Sequence, residues 1–216
     1  MSFPPTPVSP PSPALLPTPA TSSFLGLPTL TGAGVCLEPL AAAHVPELID
    51  AVRDGELWNT WYTRIPSPDA MEQEVHSRLA RHAAGATVPW AIRRTDTGAV
   101  CGMTTYLNLR PDNRRLEIGS TWLAGSAQRT RINTETKLLL LTRAFEDLDC
   151  IAVEFRTHWH NLQSRAAIAR LGAKQDGVLR NHDIWRDGTL RDVVVFSIIE
   201  SEWPTVRLSL TEKLRR

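Results

Sequence analysis

The sequence predicts an α+β domain built around one mixed β-sheet. Seven segments have the period-2 alternation or β-branched content of strands, and four repeat apolar residues at helical spacing. Their order along the chain is β-α-α-β-β-β-α-β-α-β-β. Two turn signals, at residues 96–98 and 187–188, each join consecutive strand segments and favour hairpins, so most neighbouring strands are expected to be antiparallel.

Each element has its own sequence support. The predicted strands are residues 34–39, 90–95, 99–107, 114–123, 151–157, 178–185 and 190–199. The predicted helices begin at Pro46, Ser67, Asn133 and Asn161, and end near Gly55, Leu79, Leu148 and Gly172. Pro and Asn are common at helix starts, and Gly supplies the left-handed conformation that ends many helices.

Composition bounds the class of protein. The chain has 216 residues, and its formal net charge of +1 gives no global field that would recruit nucleic acid or an anionic membrane. Residues 1–28 are rich in Pro, Ser and Thr and are predicted to be a disordered tail, so the domain is expected to span residues 29–216. No apolar run approaches the ~20 residues of a membrane span.

The cysteines indicate the compartment. Cys36, Cys101 and Cys150 are odd in number and lack metal-ligand spacing, which favours a reducing cytoplasm over a disulfide framework. No signal peptide is expected, because the N-terminus has no basic segment followed by an apolar one. The predicted location is therefore the cytoplasm, and no metal site is predicted.

A polar loop with two arginines follows the fourth strand and leads into a helix. Its residues are Gln128, Arg129, Thr130, Arg131, Ile132, Asn133 and Thr134. A helix start carries unpaired N–H groups and the positive end of the dipole, which favour a phosphate group. The alternative is an ordinary solvated helix start.

The region from residue 117 to residue 172 resembles the acyl-CoA-binding core of the GNAT N-acetyltransferases. It is most similar to the RimJ/RimL type, which acetylates ribosomal-protein N-termini. The resemblance implies a mostly antiparallel seven-stranded sheet with splayed fourth and fifth strands, helices on both faces, and acetyl-CoA as co-substrate. It implies that acetyl-CoA contacts the loop residues together with Trp122, Leu123, Asn161, Ser164 and Arg165. The sequence departs from the family at Arg131 and Asn133, where small residues are usual.

The resemblance also implies catalytic roles. Glu117 stands where the family often has a residue that accepts the amine proton. Ile168 replaces the tyrosine that protonates the leaving thiolate in many members, and Ser164 matches the serine of RimL-like members. The alternatives are a surface carboxylate for Glu117 and a helix-start residue for Ser164.

The acceptor pocket is expected in the first interhelical region and after the fifth strand, and Trp58, Trp61, Tyr62 and His158 are its candidate residues. Core packing is the alternative for these aromatic side chains. The expected reaction is direct acetyl transfer to a small-molecule or peptide amine, and a homodimer is left open. Contact with nucleic acid is expected only through the ribosome. A non-catalytic acyl-CoA-binding domain and a ribosome- or RNA-associated protein are the alternative functions.

Overall fold

The computed structural model describes residues 21–215. Its strands form one eight-stranded sheet in the order β1-β2-β3-β4-β5-β6-β8-β7. They are β1 Leu30–Thr31, β2 Val35–Pro39, β3 Val88–Arg94, β4 Val100–Arg110, β5 Arg115–Leu123, β6 Ala152–His158, β7 Lys174–Ile184 and β8 Leu190–Ile199. All neighbouring strands pair antiparallel except β5 and β6, which are parallel.

The α+β class and the mostly antiparallel sheet are confirmed, but the strand number is wrong. Seven strands were expected and eight are present in the described residues. The additional strand is β1, in which Leu30 pairs with Leu37 and Thr31 with Cys36. Two residues are too short a segment to show the alternation by which strands are identified in sequence.

Helices lie on both faces of the sheet. They are α1 Thr21–Leu25, α2 Val45–Arg53, α3 Met71–Ala83, α4 Arg131–Thr142, α5 Leu162–Leu171 and α6 Trp203–Arg215, and a π-helical turn, Arg143–Asp147, extends α4. Successive residues of a strand point to opposite faces. Thr105 accepts a hydrogen bond from Arg78 of α3, whereas Tyr106 donates one to the Leu140 carbonyl of α4. Helices α3 and α4 therefore cover opposite faces.

Residues 21–28, which the sequence analysis assigns to the tail, contact the domain. Phe24 in α1 is fully buried, Arg143 donates to the Gly26 carbonyl, and the Trp90 indole donates to the Pro28 carbonyl. The Pro-rich composition predicted disorder, but one buried aromatic ring and these long-range bonds hold this segment on the domain. The rest of the predicted tail lies outside the described residues.

Helix α6 was not predicted. Its buried residues Trp203, Val206 and Leu210 recur at spacings of three and four, which is a helical pattern. Trp203 stacks on Phe145 with ring centroids 5.2 Å apart, so α6 packs against the extension of α4. None of the helices within residues 21–215 is long and apolar enough to cross a membrane.

Candidate active site

A split between β5 and β6 opens the sheet near its centre. Residues 115–117 pair with residues 152–154, and within the described strands no further pair joins β5 to β6. On the other side of β5, Thr105 pairs with Gly119 and Met103 with Trp122, so β5 has one residue more than β4. This extra residue is a β-bulge. The expected splay between the fourth and fifth predicted strands is confirmed.

The split leaves backbone groups of β5 facing the cleft. Ala124 donates its N–H to the Cys101 carbonyl of β4 at 2.8 Å. Antiparallel residues alternate between hydrogen-bonded and non-hydrogen-bonded pairs, so Leu123, which lies opposite Gly102, directs its N–H and C=O away from β4. The side chains of Trp122 and Leu123 are buried. The structure therefore supports a backbone role for Leu123 in the cleft.

Gln128 ties the cleft edge to the start of α5. Its Nε2 donates to the Leu123 carbonyl at 3.0 Å, and its Oε1 accepts from Gln163 Nε2 at 3.1 Å. The Leu123 carbonyl thus accepts a hydrogen bond from the Gln128 side chain, while the Leu123 N–H is directed toward β6. Gln163 was not identified from the sequence, since only the folded chain shows that α5 begins beside Gln128.

The loop before α4 has the geometry of a helix start open to solvent. Thr130 is the N-cap, and its Oγ1 accepts from the Ile132 N–H at 3.3 Å and donates to the Ala127 carbonyl at 2.7 Å. Arg129, Thr130 and Arg131 are exposed, Asn133 and Thr134 are half-buried, and Ile132 is buried. The Arg131 guanidinium donates to the Leu214 carbonyl of α6. Arg129 forms no such hydrogen bond with any residue that the structure describes.

A second helix start lies across from this loop. Asn161 is the N-cap of α5 and accepts from the Ser164 N–H at 3.0 Å, so its predicted capping role is confirmed. Ser164 is half-buried, and its hydroxyl has no hydrogen-bond partner among the described residues. Arg165 lies 4.3 Å above the Trp159 ring and donates to the Trp159 carbonyl.

Glu117 is the last residue of β5 that pairs with β6, so its carboxyl lies where the split begins. Only 6% of the residue is exposed. Asn108 Nδ2 donates to its Oε2 at 2.6 Å, and Arg156 Nε lies 3.5 Å from the same oxygen. Burial raises the pKa of Glu117, and the positive charge of Arg156 and the Asn108 hydrogen bond offset part of this rise. A carboxyl with a raised pKa is a stronger base once it is ionised.

His158 ends β6 in a cluster of rings. Its centroid is 5.3 Å from that of Trp61 and 6.4 Å from that of Tyr62. Burial, followed by the charge of Arg191, lowers the pKa of His158, so the ring is neutral near pH 7. Its Nδ1 accepts from the His160 N–H, which places the proton of the neutral ring on Nε2. His158 is therefore a donor, and Glu117 remains the candidate base.

The hairpin between β7 and β8 closes over this cluster. Trp185 donates its indole N–H to the Trp61 carbonyl at 2.6 Å, and its ring lies 5.9 Å from His158. Arg64 and Arg191 each lie 4.6 Å from the Trp185 ring centroid. The structure thus brings three of the four predicted acceptor residues together and adds Trp185. The fourth, Trp58, is half-buried against the hydrophobic core.

The sequence of residues 35–174 matches the acetyltransferase (GNAT) domain family, and this match covers more than half of the chain. The chain belongs to this family. The predicted recognition is thereby confirmed.

Similar proteins extend this result. The GNAT chain is 34% identical over 106 residues to the Bacillus subtilis (strain 168) protein YdaF, provisionally named a ribosomal N-acetyltransferase. That match covers 49% of this chain and 57% of YdaF, so it spans little more than half the length of the curated relative. A GCN5-related N-acetyltransferase from Brucella melitensis is 29% identical, with a TM-score of 0.78 over 91% of this chain and 86% of that chain.

A more distant neighbour shares the fold. It is RimL, described as a ribosomal L7/L12 alpha-N-protein acetyltransferase, in a structure that holds Coenzyme A. It is 19% identical, with a TM-score of 0.67 over 80% of this chain and 98% of that chain. Within residues 21–215 of the GNAT chain, no group of three or more His, Cys, Asp or Glu residues could hold a metal ion.

Proposed function

We propose that this GNAT protein transfers an acetyl group from acetyl-CoA to a primary amine, and that protein N-termini are its preferred acceptors. The observation that carries the proposal is the split between β5 and β6. Glu117 lies where the two strands begin to separate, and the starts of α4 and α5 lie at the edge of the split. In this arrangement one cleft offers a backbone N–H, a buried base and two helix N-termini.

The cleft residues fit the parts of acetyl-CoA. The Leu123 N–H faces β6 and can donate to an amide or thioester carbonyl of acetyl-CoA, in the way that the N–H of an edge strand donates to an added strand. The starts of α4 and α5 present unpaired N–H groups, and Arg129 and Arg165 add positive charge there. Asn161 uses its side-chain oxygen as a cap, which leaves its Nδ2 as a donor.

The transfer needs two proton movements. The amine nitrogen forms a bond to the thioester carbon and loses a proton to Glu117, directly or through water. The carbon–sulfur bond breaks as the carbonyl re-forms, and the thiolate receives a proton from the Ser164 hydroxyl. Ser164 takes a proton from solvent water in turn, and Glu117 releases its proton to solvent. Ile168 is buried in the core at the position of the usual tyrosine and has no proton to donate.

The strength of the base selects the acceptor class. An α-amino group has a pKa of about 7.7–8.0, so near neutral pH its deprotonation costs about 1 kcal/mol. A lysine side chain, with a pKa of about 10.4, costs about 4–5 kcal/mol. A single buried carboxyl, held by Asn108 and Arg156, is better matched to an α-amino group than to a lysine side chain. The names of YdaF and RimL point the same way.

A thiol-release assay tests the proposal directly. The protein is incubated with acetyl-CoA and a panel of N-terminal peptides, polyamines and small amines, and Ser164→Ala and Glu117→Gln serve as matched variants. We expect release above the hydrolysis background with peptides, and slower release by both variants at unchanged CoA affinity in calorimetry.

One other function has specific support. Arg131 replaces a usual glycine and is tethered to α6, so the loop differs from that of an ordinary GNAT enzyme. A non-catalytic acyl-CoA-binding domain would show micromolar CoA affinity with no thiol release for any acceptor. That result would refute the proposed transfer.

A further inference from the structure

The bulge in β5 is an unusual backbone feature beside the cleft. Ser120 has a φ of +47°, a left-handed conformation that non-glycine residues seldom adopt. The opposite strand comes unusually close, since a Cβ on Gly102 would lie 2.1 Å from the Trp122 carbonyl oxygen. Strained conformations of this kind persist only where the surrounding structure holds them in place.

A buried lysine holds the bulge from the α4 face. Lys137 Nζ donates to Thr121 Oγ1 at 2.6 Å, and Thr121 Oγ1 lies 2.8 Å from Thr104 Oγ1 on β4. Lys137 is only 5% exposed, and among the described residues no carboxylate forms an ion pair with it. A buried, unpaired amine is a cost to stability. Core packing alone therefore does not account for this side chain.

A buried arginine holds the same bulge from the α3 face. Arg78 Nη1 donates to Thr105 Oγ1 at 2.6 Å, and its Nη2 lies 3.5 Å from the Ser120 carbonyl oxygen. Its Nε donates to Glu74 at 2.7 Å, and this bond holds the guanidinium in the orientation in which Nη1 and Nη2 contact the sheet. Arg78 is 6% exposed. Two basic side chains, from helices on opposite faces of the sheet, thus contact adjacent residues of one bulge.

We propose that Lys137 and Arg78 are positioning residues that lock the β5 bulge and so aim the Leu123 N–H into the cleft. This bulge clamp consists of Lys137, Thr121 and Thr104 on one face, and Arg78 and Thr105 on the other. Leu123 is two residues beyond Thr121, so a change of the bulge rotates or shifts its N–H directly. The inference rests on the proposed acetyl transfer where it is tested by kcat. Hydrogen exchange tests it independently of that activity.

Lys137→Met tests the clamp, because methionine matches the apolar stem of lysine as far as Cε and removes the amino group, with its charge and its donor. A packing role predicts equal or higher stability and unchanged activity. The clamp predicts equal or higher melting temperature together with a kcat that is about ten- to a hundredfold lower, because small misplacements of catalytic groups are costly. The CoA dissociation constant should change by less than about threefold, because the helix starts that bind the phosphates are untouched.

Three further variants complete the design. Thr121→Val removes the other end of the same hydrogen bond at constant volume, and Lys137→Met/Thr121→Val should lose no more kcat than Lys137→Met alone. Arg78→Met should give the same selective loss from the α3 face. Thr136→Val is the matched control, since Thr136 is a fully buried neighbour on α4 whose hydroxyl has no partner in the described residues. It should leave kcat unchanged.

Hydrogen exchange of residues 119–124 separates the clamp from the proposed function. We expect faster exchange there in Lys137→Met and Thr121→Val than in the wild type, with no change in Thr136→Val. If the wild type binds CoA but acetylates no amine, the proposed function is refuted, and hydrogen exchange alone then tests the clamp. Unchanged exchange in both variants, or unchanged kcat in an active enzyme, refutes the clamp. If Lys137→Met does not fold, Thr121→Val decides by the same readouts.

Discussion

Lys137→Met should stabilise the protein near neutral pH, and the gain should shrink as the pH rises. Burial lowers the pKa of Lys137 from its ordinary 10.5 to about 7. Below pH 7 the folded and unfolded chains both carry the proton, so the folded state bears the full cost of the buried charge. Between pH 7 and pH 10.5 the unfolded chain binds more protons, and the stability of the wild type therefore rises with pH.

The magnitude follows from the pKa. Each tenfold change in the proton equilibrium corresponds to about 1.4 kcal/mol, so the whole effect of Lys137 is about 5 kcal/mol. From pH 7 to pH 9 the stability advantage of Lys137→Met over the wild type should fall by about 2–3 kcal/mol. All other titrating groups are shared by the two proteins and cancel in the difference.

Urea unfolding at pH 6, 7, 8 and 9 measures this difference. Thr136→Val is the control, because it removes a buried group of α4 that does not titrate, and its effect on the free energy of unfolding should be the same at each pH. A difference between wild type and Lys137→Met that does not vary with pH would refute the reasoning, since Lys137 would then keep its proton in the folded state.

Four further results are expected. Glu117→Gln should remove the acidic limb of the pH–rate profile, because burial raises the pKa of the carboxyl that is replaced, and stopped-time assays from pH 5 to pH 9 measure this. Asn161→Asp should keep the cap of α5 but weaken CoA binding in calorimetry, because it removes only the Nδ2 donor. Asn161→Ala should weaken CoA binding and also cost about 1 kcal/mol of stability in urea unfolding, because it removes the cap as well. Arg129→Ala should weaken CoA binding more than Arg131→Ala, because Arg131 is tethered to α6; equal losses in calorimetry would contradict this. Phe24→Ala should cost about 3–5 kcal/mol in urea unfolding, and a loss below 1 kcal/mol would show that α1 contributes little.

The sequence predicted elements with strong periodicity and clear ends. In β6, buried Val153 and Phe155 alternate with half-buried Glu154 and Arg156, and this alternation places the strand. The αL conformation of Gly172, with a φ of +103°, ends α5 where a glycine was expected to do so. These features are local, so a window of ten residues contains the information.

The features that were missed depend on contacts between distant residues. Phe24 is buried although its neighbours are Pro- and Ser-rich, and Trp185 joins the acceptor cluster through the distant residues Trp61 and His158. Lys137 interrupts an apolar helix and is easily taken for a solvated position. Its burial follows from the bulge in β5, which is 16 residues away in the chain. Helix α6 is the exception, because its apolar residues Trp203, Val206 and Leu210 recur at helical spacing in the sequence itself.

Acetylation of a peptide that carries both a free N-terminus and an internal lysine tests the central claim most directly. After incubation with acetyl-CoA, tandem mass spectrometry assigns the acetyl group to one amine. The account predicts acetylation of the α-amine by the wild type and a marked loss with Glu117→Gln. Acetylation of the lysine in preference to the α-amine, or a Glu117→Gln protein as active as the wild type, would contradict it.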